Sequence, residues 1–281
     1  MNKRNILSQF SNNVVSQFGE DGILQRIFEI LPDTNKWCVE FGAWDGKYLS
    51  NCYNLISNFD WNGVMIEANK NKFLQLKKTY EGNSKVYLIN RFISFYGKNT
   101  LDNVLRNTPI PKDLDLLSID IDGNDYYIWE SLEEYSPKVV IIEFNPSIPS
   151  DIEFIQKRDI KINQGAGILS INILGRSKGY ELIGTTANNA IFVKKEYFDL
   201  FGIENNNPGV LWDMEEEAPR IFQLYDGTIV LSKEFDLIWN GIKVNKFDLQ
   251  KLPKYFRFFS DSQSIGGLFR KILFKIYRKI I

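Results

Sequence analysis

Acidic side chains in four short stretches are where this sequence could do chemistry. Asp120 and Asp122 follow the apolar run Leu114 to Ile119, and Glu143 and Asn145 close the run Val139 to Phe144. Glu40 stands in Val39-Glu40-Phe41-Gly42-Ala43-Trp44-Asp45-Gly46, and Glu67 ends Gly63-Val64-Met65-Ile66. Apolar runs that end this way read as parallel strands whose carboxyl ends share one crevice, where an open α/β sheet binds its ligand. Acids gathered there must share protons, hold a cation or orient a substrate hydroxyl. The chain has no histidine, so a general base has to be a carboxylate, a lysine, a tyrosine or a bound water, unless there is none.

The glycine spacing narrows the ligand. A dinucleotide fingerprint is G-x-G-x-x-G, whereas this turn is E-x-G-x-x-x-G. Glu40 and Asp45 would repel a pyrophosphate and attract the ammonium and sulfonium of S-adenosylmethionine. Glu67 lies about 20 residues beyond the glycines, at the tip of the second strand, the usual place for an acid that binds a ribose diol.

Those groups have to be positioned by an alternating scaffold. Strands are expected at Trp37 to Phe41, Gly63 to Glu67, Lys85 to Asn90, Leu114 to Ile119 and Val139 to Phe144. Helices are expected from Asp21, ending at Pro32, over Lys47 to Phe59 and Lys70 to Tyr80, and from Asp125 to Glu134. The helix after the glycine turn should offer its free N–H groups to a ligand. After a helix over Leu169 to Lys178, the runs Gly179 to Gly184 and Ala190 to Val193 form a hairpin across Thr185 to Asn189. The fold class is therefore α/β: a doubly wound, mostly parallel seven-stranded sheet with an antiparallel terminal hairpin, plus a C-terminal extension. Residues 1–195 form the main domain, 196–260 a cap or substrate-side extension, and 261–281 a basic amphipathic helix. In the extension, Asn205 to Gly209 reads as a loop, Asp213 to Glu217 as an acidic run, and Asp226-Gly227 as a turn between Ile221 to Tyr225 and Thr228 to Leu231. Asn2 to Asn13 is polar and expected to fray.

Over residues 16–195 the chain resembles the S-adenosylmethionine-dependent methyltransferases with a Rossmann-like sheet, and among them the FkbM-type O-methyltransferases of sugars and natural products. The stretches that carry the resemblance are Ser16-Gln17-Phe18-Gly19-Glu20-Asp21-Gly22, Glu40 to Gly46, Ile119-Asp120-Ile121-Asp122-Gly123 and Ile142-Glu143-Phe144-Asn145. It implies that S-adenosylmethionine is the cofactor and that Gln17, Gly19, Glu20 and Asp21 wall its site; the residues alone read equally well as a helix cap. It further implies cofactor contacts from Glu40, Gly42, Ala43, Asp45, Gly46, Glu67, Ala68 and Asp120, with Arg91 and Phe92 at the adenine. Two roles stay open for Asp120, Asp122, Glu143 and Asn145. In one, Asp120 or Asp122 is the general base while Glu143 and Asn145 position the acceptor. In the other, Asp120, Glu143 and Asn145 hold a divalent cation such as Mg²⁺, as in the cation-dependent O-methyltransferases. The chain departs from the FkbM-type pattern, which has glutamate near Asp122 and histidine near Asn145. The expected acceptor is a hydroxyl of a sugar, nucleotide-linked sugar or glycan intermediate; a non-sugar metabolite, or a scaffold that binds cofactor without activity, are the alternatives. Tyr126, Tyr127 and Trp129 offer a wall for a sugar or adenine face, against core packing for at least two of them.

Composition bounds the rest. The 281 residues are 44% hydrophobic and 25% charged, enough for a full core. No apolar run nears the roughly 20 residues that span a bilayer, and Met1 to Asn13 lacks a signal-peptide core, so a cytoplasmic location is expected. Cys38 and Cys52 have no metal or redox spacing and read as packing residues. Residues 251–281 hold eight basic residues and one acid, a net +7, so the chain's net −1 leaves −8 on residues 1–250. An acidic body does not suit nucleic acid, and Asn145-Pro146-Ser147-Ile148 is a poor match to the N/D-P-P-Y motif of amino-methylating enzymes. Leu268, Phe269, Ile272, Leu273, Ile276, Tyr277 and Ile280 make an apolar stripe on a helix over Gly267 to Ile281, with Arg270, Lys271, Lys275, Arg278 and Lys279 beside it. That helix is expected to pack on protein, on the chain itself or across a homo-oligomer; peripheral contact with an anionic membrane is the alternative.

Overall fold

The computed structural model describes residues 6–212, 219–237, 241–257 and 265–279. The chain divides into two compact units, Met1–Glu215 and Glu216–Ile281. In the first, seven strands form one sheet: β1 (Trp37–Phe41), β2 (Asn62–Glu67), β3 (Val86–Asn90), β4 (Leu116–Ile119), β5 (Val139–Glu143), β6 (Tyr180–Thr185) and β7 (Asn189–Lys194). Their order is β3-β2-β1-β4-β5-β7-β6. β1 to β5 pair in parallel, and β7 lies antiparallel between β5 and β6. This is the doubly wound sheet with a terminal hairpin that the alternation implies.

Side chains two residues apart share a face of a strand, and in β1, β2, β4 and β5 both faces are buried. Val39, Phe41, Leu117, Ile119, Val140 and Ile142 join one core, under α4 (Leu101–Leu105), α5 (Asp125–Ser131) and α6 (Ile168–Ser177). Cys38, Met65, Leu116, Val139 and Ile141 join the other, under α1 (Glu20–Ile30), α2 (Tyr53–Phe59) and α3 (Lys70–Thr79). Both cysteines are buried and reduced, as packing residues. Trp129 is fully buried, edge-on to Tyr180 and tilted against Phe192.

Two local expectations change, and one helix is added. α2 starts at Tyr53 rather than near Lys47, because Ser50 and Asn51 are drawn to the Glu40 carboxylate and Leu49 takes a left-handed φ of 57°. Residues 6–10 form a 3-10 turn with Leu7 buried instead of fraying. The short α4 went unread in the sequence. Residues 196–212 belong with the first unit, where α7 (Pro208–Leu211) leads into Trp212, edge-on to Phe144.

The second unit carries the hairpin β8 (Ile221–Gln223) and β9 (Ile229–Leu231) across Asp226-Gly227, the pair β10 (Phe235–Leu237) and β11 (Ile242–Val244), α8 (Lys246–Leu249) and α9 (Ile265–Tyr277). The acidic run Asp213 to Glu217 and Ile280 lie outside the described residues. Among the described residues no helix is long and apolar enough to cross a membrane.

Candidate active site

The strand alternation that builds the second core also sets the chemistry. Cys38 and Met65 face α1 to α3, so Glu40 and Glu67, two residues on, face the same way at the carboxyl edge. Asp120 and Glu143 continue that phase beyond Leu116 and Ile141. All four line one cavity of about 540 Å³, a size suited to a nucleoside-bearing ligand.

Glu40 is 5% exposed. Its carboxylate accepts the Ser50 hydroxyl and, at 2.8 Å, the Asn51 N–H. These bonds offset only part of the cost of burial, which pushes its pKa from 4.5 up to about 7, with Asp120 and Asp21 adding repulsion. The turn beside it is held by protein. Gly42 has φ 77°, and a Cβ there would lie 2.1 Å from the Asp120 carbonyl oxygen. Glycine is thus demanded by the neighbouring strand end, at a position that also lines the cavity. The Glu67 carboxylate accepts the N–H groups of Trp44, at 2.9 Å, and Asn69, which leaves each oxygen further lone pairs toward the cavity.

After β4 the chain makes a tight loop through Asp122 at φ 59° and Gly123 at φ 152°. Asp125 closes it by accepting the N–H groups of Ile121 at 2.9 Å and Gly123 at 2.8 Å. Burial first, then Asp120, pushes Asp125 to about 7. Asp120 is reached from the cavity, yet protein encloses its carboxyl closely enough that desolvation, followed by Asp122, raises it. Glu143 rises further, from burial and then from Asp120, Asp125 and Asp122, against a 3.2 Å hydrogen bond from Asn188. Oxygens of Asp120, Asp122 and Glu143 all lie within 4.8 Å of one another.

The cavity gathers most of the expected residues and leaves others behind it. Gln17, Ala43, Ala68, Arg91, Phe92 and Asp122 line it. Gly19, Glu20 and Asp21 do not. Asp21 accepts the N–H groups of Val14, Val15 and Ser16, each at 2.8 Å. Glu20 takes the Phe18 N–H, the Thr186 hydroxyl and the Asn189 amide. They fix the wall that carries Gln17. Asp45 accepts the N–H groups of Lys47 and Tyr48, and Gly46 backs onto Leu76 and Tyr80, so neither reaches the cavity. Asn145 turns away as well, donating to the Gln164 carbonyl at 2.7 Å and accepting from Ser147. The acid cluster therefore has Asp122 where a cation site built on Asn145 was expected. Tyr126, Tyr127 and Trp129 are off the lining; the Tyr127 hydroxyl donates to the Gln156 carbonyl.

Sequence reading missed Asn188, Asp125, Asn124 and Lys72. Asn188 sits in a stretch that reads only as a hairpin turn, and Asp125 in one that reads only as a helix start. Asn124 lines the cavity and accepts from Gln156, whose oxygen takes the N–H groups of Gln164 and Gly165. Lys72 lies over the Trp44 ring, 3.3 Å from its centroid. At the mouth Trp44, Tyr48 and Phe92 stay exposed.

The sequence matches no protein-family model and no curated protein sequence. Among solved structures, it is similar to a SAM dependent methyltransferase from Aquifex aeolicus at 9% identity, over 62% of this chain and 88% of that one, with a TM-score of 0.38. The N-terminal domain of EvdMO1 with SAH bound is 13% identical over 64% of this chain and 82% of that one, TM-score 0.43. The O-methyltransferase NcsB1 from neocarzinostatin biosynthesis is 10% identical over 57% and 49%, TM-score 0.35. At this identity and superposition the likeness adds nothing to the geometry of the site.

Proposed function

We propose that the chain is an S-adenosylmethionine-dependent methyltransferase acting on a hydroxyl of a small molecule. The observation that carries the reading is a cavity short of positive charge. Burial and mutual repulsion raise Glu40, Asp120 and Glu143, and none of the three is ion-paired among the described residues. A cationic ligand relieves all three at once, whereas a pyrophosphate adds to the repulsion. The resemblance over residues 16–195 points the same way, and favours a sugar, a nucleotide-linked sugar or a glycan intermediate as acceptor over another metabolite.

When bound, the cofactor supplies a methyl carbon already activated by positive sulfur. Glu67 suits the ribose hydroxyls through its remaining lone pairs, Arg91 and Phe92 would hold the base, and Glu40 would answer the positive charges. Asp120 and Glu143 divide the proton work. Glu143 rises further than Asp120, so it keeps the shared proton and donates a hydrogen bond to the acceptor. Asp120 would stay ionised and take the acceptor's hydroxyl proton at Oδ as the acceptor oxygen bonds to the methyl carbon and the carbon–sulfur bond breaks, its electron pair leaving on the now neutral sulfur. Asp125 keeps Asp120 in place by latching the loop that follows it. A scaffold that only binds cofactor has no use for so costly a set of acids.

A second version rests on the closeness of Asp120, Asp122 and Glu143, which would suit a hard divalent cation that lowers the acceptor's pKa. The test is incubation with S-adenosylmethionine and a panel of sugar and non-sugar alcohols, read by mass spectrometry for the gain of one CH₂. Transfer to a sugar supports the full reading, transfer only to other alcohols replaces the acceptor, and binding without any transfer overturns catalysis. Loss of turnover with a chelator, restored by Mg²⁺, selects the cation version.

A further inference from the structure

Among the described residues of the second unit, α9 packs through one side. The Tyr277 hydroxyl donates to the Lys251 carbonyl, the Phe274 and Tyr277 rings lie 5.9 and 5.1 Å from that of Phe256, and the Arg270 guanidinium lies over Tyr255. The apolar stripe read from the sequence is therefore split. Tyr277 turns to protein, while Leu268, Phe269, Ile272 and Ile276 stay 58%, 59%, 51% and 52% exposed. At helical spacing Leu268, Ile272 and Ile276 form one row with Phe269 beside it, and Lys271 and Lys275 form the adjoining row. Arg278 and Lys279 follow at the C-terminal end. None of these four basic residues is in an ion pair among the described residues, and Ile265–Tyr277 contains no acid.

We infer that this open face of α9 is a peripheral docking surface for an anionic lipid bilayer. Phosphates beside acyl chains offer both things the face presents in adjacent rows, negative charge for the lysines and an apolar medium for the leucine, phenylalanine and isoleucines. The net +7 of residues 251–281 matches such a surface, whereas the −8 of residues 1–250 opposes it, so attachment runs through the tail and is reversible. A protein partner would need an apolar groove edged with acids at the same spacing. The lipid surface needs no such match.

The intact chain is sedimented with phosphatidylcholine vesicles and with vesicles of mixed phosphatidylcholine and phosphatidylserine. Binding to the mixed vesicles alone, weakening as salt rises, is expected. Lys271→Ala with Lys275→Ala should weaken it about thirtyfold, at about 1 kcal/mol per basic residue. Phe269→Ser with Ile272→Ser should weaken it as strongly, with circular dichroism unchanged. Lys78→Ala with Lys98→Ala, on the first unit, should leave it unaltered. No binding to the mixed vesicles, or equal loss in the Lys78 and Lys98 variant, overturns the inference. So does a chain that is dimeric without lipid and becomes monomeric in the Phe269 and Ile272 variant, which would make the face a contact between copies.

Discussion

Binding of S-adenosylmethionine should expel protons, and Glu40 sets how many. Its carboxyl is held at about 7 against an ordinary 4.5, which at 1.36 kcal/mol per pKa unit corresponds to about 3 kcal/mol stored against ionisation. A cationic ligand stabilises the ionised form, so its affinity should rise with pH until Glu40 ionises in the free protein. With a free pKa of about 7, the ionised fraction falls from about one half at pH 7 to about 1% at pH 5, so affinity should drop roughly fiftyfold over that interval. Glu143, raised further, keeps its proton over this interval and leaves the slope to Glu40. Glu40→Gln keeps one acceptor for Ser50 or Asn51 and removes the titration; it should flatten the profile by about one proton. Calorimetry in buffers of differing ionisation enthalpy reads the released protons directly. S-adenosylhomocysteine, lacking the sulfonium charge, should show a shallower rise. An affinity that is flat or falls between pH 5 and 7, or proton uptake on binding, would refute the argument.

Further expectations follow from the same geometry. In the free protein Glu40 and Asp125 both titrate near 7, raised above their unfolded values, so the stability they leave intact below about pH 4 is lost as pH rises through about 7. Thermal melts should show the ligand-free chain less stable at pH 8 than at pH 5.5, with the difference reduced in Glu40→Gln. Asp120→Asn should cut turnover by at least about 10²-fold, the range of a lost general base, and leave cofactor affinity less changed than Glu67→Ala does. Glu67→Ala should weaken cofactor binding by roughly 1.5–3 kcal/mol, as for hydrogen bonds to a charged group. Wild-type turnover in Asp120→Asn would remove Asp120 from the chemistry. Gly42→Ala should cost at least about 1–2 kcal/mol in urea melts from the left-handed backbone alone, and more from the collision with the Asp120 carbonyl. A neutral result would mean the strand ends part easily.

Strand positions were legible because the central strands are buried on both faces and each run is continuous. β1 has the expected bounds, and β2 and β3 end at the expected Glu67 and Asn90. The acids at those ends could be located because period-two alternation is a local property. What could not be read was contact across the chain. Glu143 meets Asn188 forty-five positions away, and nothing near Asn188 announces it. Gly42 lines the cavity as expected, but its Cβ position is closed by the Asp120 carbonyl, and Gly46 backs onto Leu76 and Tyr80 instead of a ligand. The shift of α2 has the same origin. Lys47 to Phe59 has helical composition, yet a buried carboxylate ten residues upstream claims Ser50 and delays the first turn. Asn145 failed as a site residue because the segment around Gln164, featureless in sequence, returns to bind it.

Calorimetric titration of the intact chain at neutral pH with S-adenosylmethionine, and in parallel with NAD, tests the central claim most directly. Saturable one-to-one binding of S-adenosylmethionine, weakened in Glu67→Ala, with no comparable heat from NAD, is the predicted result. NAD binding more tightly than S-adenosylmethionine would contradict the claim that this cavity was built for a cation.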